Sequence, residues 1–386
     1  MTIKKIASSK LEIGMFISGE TEGLETHLFK QSGFIRKTAT LEKLQKSSLD
    51  TFFIDVDKGK DSIHASIASE GRLIEPKVPL EEEYDNASVV YEEALSLVGN
   101  LMQDVKLGQA IDVASVETLA EEMIGSLSRN VNALLCLSRI REKDRYLLEH
   151  SINVGMLMGI FARYLGYSGD TLHQLVTGGL LHDIGKILVP DEVLNKPGKL
   201  TDDEWQEMKR HVTYGQKILE QSEGVSKLTL SICSLHHERI DGSGYPEGLP
   251  GSYISKFGRM AAIVDVYDAV TASRVYSEGC IPQQAIKNML AWSDSHLDNA
   301  LVYDFIRCIS VYPVGSLVQL DNEQLAVVVE THWRYPHSPS VRLAYDLKSQ
   351  QTGSGEVVDL SKGDSTMAIE SVVDPADYSV NIADYL

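Results

Sequence analysis

Residues 178–186 read Gly178-Gly179-Leu180-Leu181-His182-Asp183-Ile184-Gly185-Lys186. An apolar run leads directly into an imidazole and a carboxylate. It lies in a longer stretch, about 145–310, of amphipathic or apolar segments at helical spacing, joined by loops bearing glycine and proline. That pattern makes the fold class mainly α. It also sets a problem, because burying an ionised carboxylate costs free energy unless a cation or a donor compensates. Lys186 follows His182 by four residues and Asp183 by three, so on a helix it shares their face. It serves there as a plain ion-pair partner or as an ammonium aimed at a phosphate oxygen.

A second carboxylate poses the same problem. Asp265 sits inside Met260-Ala261-Ala262-Ile263-Val264-Asp265-Val266, where a solvated surface group is hard to accommodate. The chain has 11 histidines, and His150, His182, His211 and the adjacent pair His236-His237 fall in the same helical region as these aspartates. A single histidine in a helical domain is ordinarily a capped or surface residue. Together, imidazole and carboxylate suit iron, manganese, zinc or nickel rather than calcium or magnesium. His150, His182, Asp183, His211, His236, His237 and Asp265 are too many for one tetrahedral zinc. They suit two octahedral ions sharing a bridging carboxylate. His236 and His237 end a helical run, so both face one ion only if the helix end distorts or the ion lies beside the terminus. A loop follows, Glu238-Arg239-Ile240-Asp241-Gly242-Ser243-Gly244-Tyr245-Pro246. Its glycines allow close approach to a ligand, and Tyr245 offers a stacking face and a hydroxyl.

The flanking regions differ in character. Residues 1–75 read as a small mixed α/β domain, with strand character at Leu11–Ile17 and Thr51–Val56 and a short helix around Leu41 and Leu44; polar residues from Asp61 to about Pro79 read as a linker. Residues 76–140 form a helical linker, opened by acidic residues Glu81 to Asp85. In it Val116, Leu119, Ala120, Met123, Ile124, Leu127, Val131, Leu134 and Leu137 recur at helical spacing, as a helix packing on its own domain or also forming a dimer seam. Residues 311–386 are a β-rich extension, with a hairpin of Val314–Leu320 and Ala326–Glu330 and a weakly patterned tail from about Ser349 that carries no expected site. A net charge of −19 excludes a general binder of DNA, RNA or anionic membrane. No run of 18 apolar residues predicts a membrane span, and no apolar stretch follows Lys4, Lys5 and Lys10 to make a signal peptide. The scattered Cys136, Cys233, Cys280 and Cys308 make neither a CxxC pair nor a disulfide framework and fit a reducing cytoplasm.

The ordered series His150, His182-Asp183, His211, His236-His237, Asp265 resembles the metal-binding series of the HD superfamily in its HD-GYP branch. Residues His236 to Pro246 carry the signature HHExxDGxGYP, and His182 to Lys186 are similar to the family's HDxGK segment. The resemblance covers roughly residues 140–335 and continues into Tyr312-Pro313-Val314-Gly315-Ser316, similar to the β extension that often follows such domains. The first ~75 residues resemble the small uncharacterised domain often found ahead of HD-GYP. The resemblance implies a helical HD-type bundle at 141–310 that hydrolyses cyclic di-GMP to linear pGpG and in some members to GMP; other members cleave cyclic GMP-AMP. It implies one metal, iron or manganese, on His150, His182, Asp183 and Asp265, and a second on Asp183, His211, His236 and His237. Asp183 and Lys186 would be the catalytic residues. Lys186, Arg239, Asp241, Gly242, Tyr245 and Arg274 would bind substrate, with Arg274 on a phosphate.

Two positions depart from the family pattern. Three-metal members carry glutamate four residues before the first histidine, where this chain has Tyr146, which implies two metals and pGpG as the main product. The family often reads R-P-Y-K after the last metal aspartate, and here the residues are Arg274-Val275-Tyr276-Ser277. Two ions in such a site would activate a bridging water as a hydroxide, which would attack phosphorus in line with the ribose 3′ oxygen as the leaving group. The competing expectations are a cyclic GMP-AMP phosphodiesterase, another phosphoesterase, and a weakly active cyclic-dinucleotide sensor whose GYP loop recruits a partner protein. A homodimer is also compatible with the sequence.

Overall fold

A computed structural model describes residues 3–17, 33–45, 51–56, 58–60, 62, 66–67, 76–140, 145–272, 279–293, 295–332, 335–362, 367–378 and 380–386. The chain divides into two compact units, residues 1–73 and 74–386. The first contains β1 (Ile3–Ala7), β2 (Phe16–Ile17), β3 (Gly33–Phe34), helix α1 (Thr38–Gln45), β4 (Thr51–Asp55) and β5 (Ser66–Ile67), in a sheet of order β3-β2-β4-β1-β5. Ile6, Leu11, Met15, Ile17, Ile35, Leu44, Phe52 and Ile54 form its core. The expected strand at Leu11–Ile17 is shorter in the structure. Gly14 takes a φ of +96°, and the chain turns there before pairing begins at Phe16. The expected linker from Asp61 to Pro79 lies mostly outside the described residues.

The second unit is built on α2 (Leu80–Lys106), α3 (Val113–Arg129), α4 (Val131–Leu137), α5 (Tyr146–Tyr164), α6 (Gly169–Leu181), α7 (Asp191–Leu194), α8 (Asp202–Lys209), α9 (His211–Glu220), α10 (Lys227–Leu235), α11 (Lys256–Thr271), α12 (Pro282–Trp292) and α13 (Asn299–Ile309). Residues 76–140, expected as a helical linker, are helical, and the buried faces of α2, α3 and α4 share one core with α5, α6, α11 and α13. Val116, Leu119, Ala120, Met123, Leu127, Val131 and Leu134 are all buried in it. The continuous apolar register conceals a break. Asn130 is extended (φ −152°, ψ 109°), and its side chain accepts the Asn132 N–H, ending α3 and capping α4.

Two glycines set the spacing around the residues of interest. A Cβ on Gly179 would lie 2.7 Å from Gly155 Cα, so the close crossing of α5 and α6 requires glycine. A Cβ on Gly185 would lie 2.0 Å from the His211 carbonyl oxygen and 2.3 Å from Gly215 N, which holds the turn after Asp183 directly against α9.

The expected C-terminal hairpin is present as β6 (Leu317–Leu320) and β7 (Gln324–Glu330). The chain continues through β8 (Ser340–Asp346), β9 (Gln351–Thr352), β10 (Val357–Asp359) and β11 (Ile369–Val372). The resulting sheet has the order β10-β8-β7-β6-β11, with β9 on β8. Its two faces bury alternate residues, Val318, Leu320, Ala326 and Val328 on one and Leu317, Leu325 and Val327 on the other. The tail read as weakly patterned therefore supplies three strands and, through Tyr378, Ile382 and Tyr385, a cover for the second face. Asn132 Oδ1 accepts from both N and Oγ1 of Thr331, at 3.1 Å each, and ties this sheet to α4. Among the described residues no helix is long and apolar enough to cross a membrane.

Candidate metal centre

Helix ends build the site. α6 stops at Leu181, α8 at Lys209 and α10 at Leu235, and His182, His211 and His236 lie one or two residues beyond those ends. The last carbonyls of a helix lack intrahelical partners. Each histidine takes one of them with Nδ1, three residues back: His182 on Gly179 O at 2.7 Å, His211 on Met208 O and His236 on Cys233 O at 2.8 Å. The carbonyl fixes the tautomer with the proton on Nδ1 and leaves Nε2 pointing inward as a free lone pair. His150 lies inside α5, where the carbonyl three residues back belongs to the helix ladder. Its Nδ1 instead meets a carboxylate, Asp268 Oδ2 of α11, at 2.7 Å.

The inward nitrogens converge on two carboxylates. Asp183 Oδ2 is 3.3 Å from Nε2 of both His150 and His182, while its Oδ1 is 3.3 Å from His211 Nε2 and 3.6 Å from His236 Nε2. Asp265 Oδ1 lies 3.1 Å from His150 Nε2, and Oδ2 lies 3.6 Å from His237 Nδ1. Donor atoms of Asp183, His211, His236 and His237 all fall within 4.8 Å of one another, as do those of His150, His182 and Asp265. Donors at about 2.1 Å on opposite sides of one ion are about 4.2 Å apart, so each group has the spread of a single coordination shell. The adjacent His236 and His237 serve one group because the helix has already ended, and their rings are 4.1 Å apart.

The electrostatics fit cations. His182 Nε2 and Asp183 Oδ1 are buried without a hydrogen-bond partner, an arrangement that costs free energy until something fills it. Burial pushes the His211 imidazole down to about 3 and lowers His182. Burial and the neighbouring His236 hold His237 well below its ordinary value, so all three are neutral imidazoles at pH 7. Burial works against ionisation of Asp183, but Lys186 and the histidines outweigh it and hold the carboxyl well below the usual range. Asp265 is lowered likewise by His150 and His237. His150 moves the other way: burial disfavours its charge, yet Asp183, Asp265 and Asp268 raise it well above an ordinary imidazole. Residues that arrive as neutral imidazoles and ionised carboxylates are what a divalent cation requires.

Lys186 pairs with Asp183 through their side chains. Tyr245 lies over the group that contains His237, its ring 4.6 Å from the His237 ring at 31°. Glu238 is buried under the loop and accepts from the N–H groups of Glu247 (2.8 Å), Gly248 (3.2 Å) and Leu249 (2.9 Å), tying the segment after Tyr245 to the end of α10. Gly242 takes a φ of +78° in the turn. Asp241 Oδ1 accepts from Ser243 N at 2.9 Å, and Arg239 extends toward Ser243 and His296; both are exposed. The structure thus gathers the seven expected metal residues, with Lys186 and Tyr245 beside them. Arg274 lies outside the described residues. Sequence reasoning missed Asp268, although it sits three residues after Asp265 on the same apolar helix and presents the same anomaly. Glu238 was read as part of a motif without a task. Trp205, whose ring stands 6.1 Å from Tyr245, carried no sequence signal.

Comparison with known proteins agrees with this architecture. The HD domain family matches residues 135–301, a domain of unknown function matches 3–116, and a KOW domain associated with the HD domain matches 317–381. The chain is 37% identical over 375 residues to a cyclic di-GMP phosphodiesterase of Pseudomonas aeruginosa, covering 94% of this chain and 90% of that protein. It is 32% identical over 253 residues to the 3'3'-cGAMP-specific phosphodiesterase 2 of Vibrio cholerae, covering 65% of this chain and 44% of that one. With a cyclic di-GMP phosphodiesterase of Thermotoga maritima it shares 36% identity over 172 residues, 44% of this chain and 46% of the other.

Proposed function

Since the chain belongs to the HD-GYP family of cyclic dinucleotide phosphodiesterases, we propose that it hydrolyses cyclic di-GMP, mainly to linear pGpG, at a centre of two divalent ions. The observation that carries the two-ion reading is the Asp183 carboxylate, whose two oxygens face different histidine groups. In this reading His150, His182, Asp183 and Asp265 hold one ion, and Asp183, His211, His236 and His237 hold the other. Nitrogen and carboxylate donors suit iron or manganese, the two metals that the family resemblance implies. The bound ions supply Lewis acidity and an acidified water.

The chain's own residues do the rest. The Asp183 carboxylate stays ionised between the two histidine groups. The Lys186 ammonium, held against Asp183, neutralises charge developing on the phosphoryl oxygens. Tyr245 closes one side of the centre with its ring on His237 and steers the substrate there. Tyr146 supports two ions over three: at the position where three-metal members carry glutamate, an aromatic ring stacks on His150 at 5.8 Å and 11°. We place the reaction in the cytoplasm, in keeping with the buried free thiols Cys136, Cys233 and Cys308. Cyclic GMP-AMP is the second candidate substrate, supported by the Vibrio cholerae relative.

The test is a time course with protein loaded anaerobically with iron, and separately with manganese, resolving linear products by chromatography. Cyclic di-GMP passing to pGpG with little GMP is the expected result, and Asp183→Ala is expected to abolish turnover and lower metal content. GMP as the main product overturns the two-ion reading. Full activity with both metals in Asp183→Ala overturns the bridging role.

A further inference from the structure

Helix α8 buries no residue, yet it is held firmly at both ends. At its start Thr201 and Glu204 form a reciprocal capping box, and Lys196 binds the Glu204 carboxylate. At its end Glu207 accepts from Tyr214 Oη at 2.8 Å and from Arg210 at 2.9 Å. The helix therefore does not depend on Trp205 for its position, and that indole remains 45% exposed. Trp205 and Lys209, four residues apart, share one face, and that face meets Tyr245. The Trp205 ring stands edge-to-face with Tyr245 at 6.1 Å, and Lys209 Nζ lies 5.9 Å from the same ring. Tyr245 in turn lies on His237. A row of rings thus runs from the histidines outward through Tyr245 to an exposed indole. Beside it is an ammonium with no carboxylate partner among the described residues, in a chain of net charge −19.

We infer that Trp205 and Lys209 form an outer purine-nucleotide subsite, in which a base of the substrate stacks on the Trp205 indole and Lys209 pairs with the phosphate that is not being cleaved. The inference rests on the reading that the scissile phosphate sits at the histidine and aspartate centre. A phosphate there places the rest of the nucleotide outward, along the row of rings. Every base presents a π face, so stacking supplies affinity and leaves base identity to be read elsewhere. An unpaired lysine contributes a screened attraction to the second phosphate.

The test compares Trp205→Ala and Trp205→Phe with wild type, using cyclic di-GMP as substrate and inorganic phosphate as a competitive inhibitor that carries no base. Trp205→Ala is expected to raise KM roughly ten-fold, as loss of one base–aromatic stack does, with kcat within about two-fold and the phosphate inhibition constant unchanged. Trp205→Phe is expected to recover most of the loss. Lys209→Met is expected to raise KM and reduce its dependence on ionic strength. Metal content and the melting curve report whether each variant is folded. An unchanged KM in Trp205→Ala overturns the subsite, and so does a parallel weakening of phosphate inhibition, since Trp205 would then only prop Tyr245. Calorimetric binding of cyclic di-GMP reads the same subsite without turnover, and equal affinity in wild type and Trp205→Ala overturns it. A wild type that hydrolyses no cyclic dinucleotide refutes the proposed function instead, while binding still decides the subsite.

Discussion

His150 Nδ1 and Asp268 Oδ2 lie 2.7 Å apart, a carboxylate doing for this histidine what a helix-end carbonyl does for His182, His211 and His236. The difference follows from position. His182 and His236 follow the ends of their helices and His211 opens α9 just after α8 ends, whereas His150 lies past the first turn of α5. α11 brings Asp265 and Asp268 to it from one turn, so a single helix supplies both a ligand candidate and the group that orients its neighbour.

Asp268→Asn keeps an acceptor for His150 but removes its charge, and Asp268→Ala leaves the imidazole without that partner in the core. Replacing a group that orients a metal-binding histidine typically costs about 10–100-fold in metal affinity. The expected order of affinity is wild type, Asn, Ala, measured by competition with a chromophoric chelator. Metal affinity unchanged in both variants would show that His150 is held by its packing alone.

Metal loading is expected to release protons, and their source can be named. At pH 7 the lowered His182, His211 and His237 are already neutral, and the lowered Asp183 and Asp265 are already ionised. His150, raised by its three carboxylates, must give up a proton to become a ligand. Titrating metal into weakly buffered metal-free protein at pH 7 is therefore expected to release about one proton from His150, and less in Asp268→Asn. Without metal, the raised His150 stabilises the fold fully below its unfolded value of 6.5 and loses that contribution as pH rises through its folded value. The metal-free melting temperature should thus fall across that alkaline limb. Absence of both effects would mean that His150 is neutral before metal arrives.

Much of the centre was legible because charge inside an apolar run is anomalous on sequence grounds alone; that argument finds Asp183 and Asp265. It would have found Asp268 had it been applied to the residue one turn further on. The kink at Asn130 was hidden because the apolar register runs on from Leu127 through Val131, so only backbone geometry separates α3 from α4. Strands in the tail were hidden because they are short and partly exposed, Val357 remaining 45% exposed, and because β11 pairs with β6, far back in the chain. The meeting of Trp205 with Tyr245 joins residues forty apart through a helix with no buried face, and no local pattern encodes such a contact.

Gly185→Ala tests how tightly the turn after Asp183 must sit on α9. The added Cβ would stand 2.0 Å from the His211 carbonyl oxygen and 2.3 Å from Gly215 N, both backbone atoms that cannot rotate away. The turn and α9 must separate, moving Asp183 from His211. Overpacking of this kind costs about 1–3 kcal/mol, read as a lower denaturant midpoint, and the second ion should be lost before the first. Wild-type stability with two bound metals would show that the turn has slack which this close packing excludes.

Glu238→Ala should separate substrate binding from metal binding. The carboxylate accepts three backbone N–H groups, from Glu247, Gly248 and Leu249, in the segment that follows Tyr245. Removing it leaves those donors unsatisfied or hydrated, at about 1–3 kcal/mol for each that stays buried, and frees the loop that carries the tyrosine. His236 keeps its bond to Cys233 O, and His211 its bond to Met208 O, because both anchors lie in helices the loop does not support. The expected outcome is a higher KM for the cyclic dinucleotide and a lower melting temperature, with metal content close to wild type. Glu238→Gln, which retains one acceptor oxygen, should fall between the two. Loss of metal in Glu238→Ala at unchanged KM would reverse the assignment and make Glu238 a support of the histidine pair rather than of the loop.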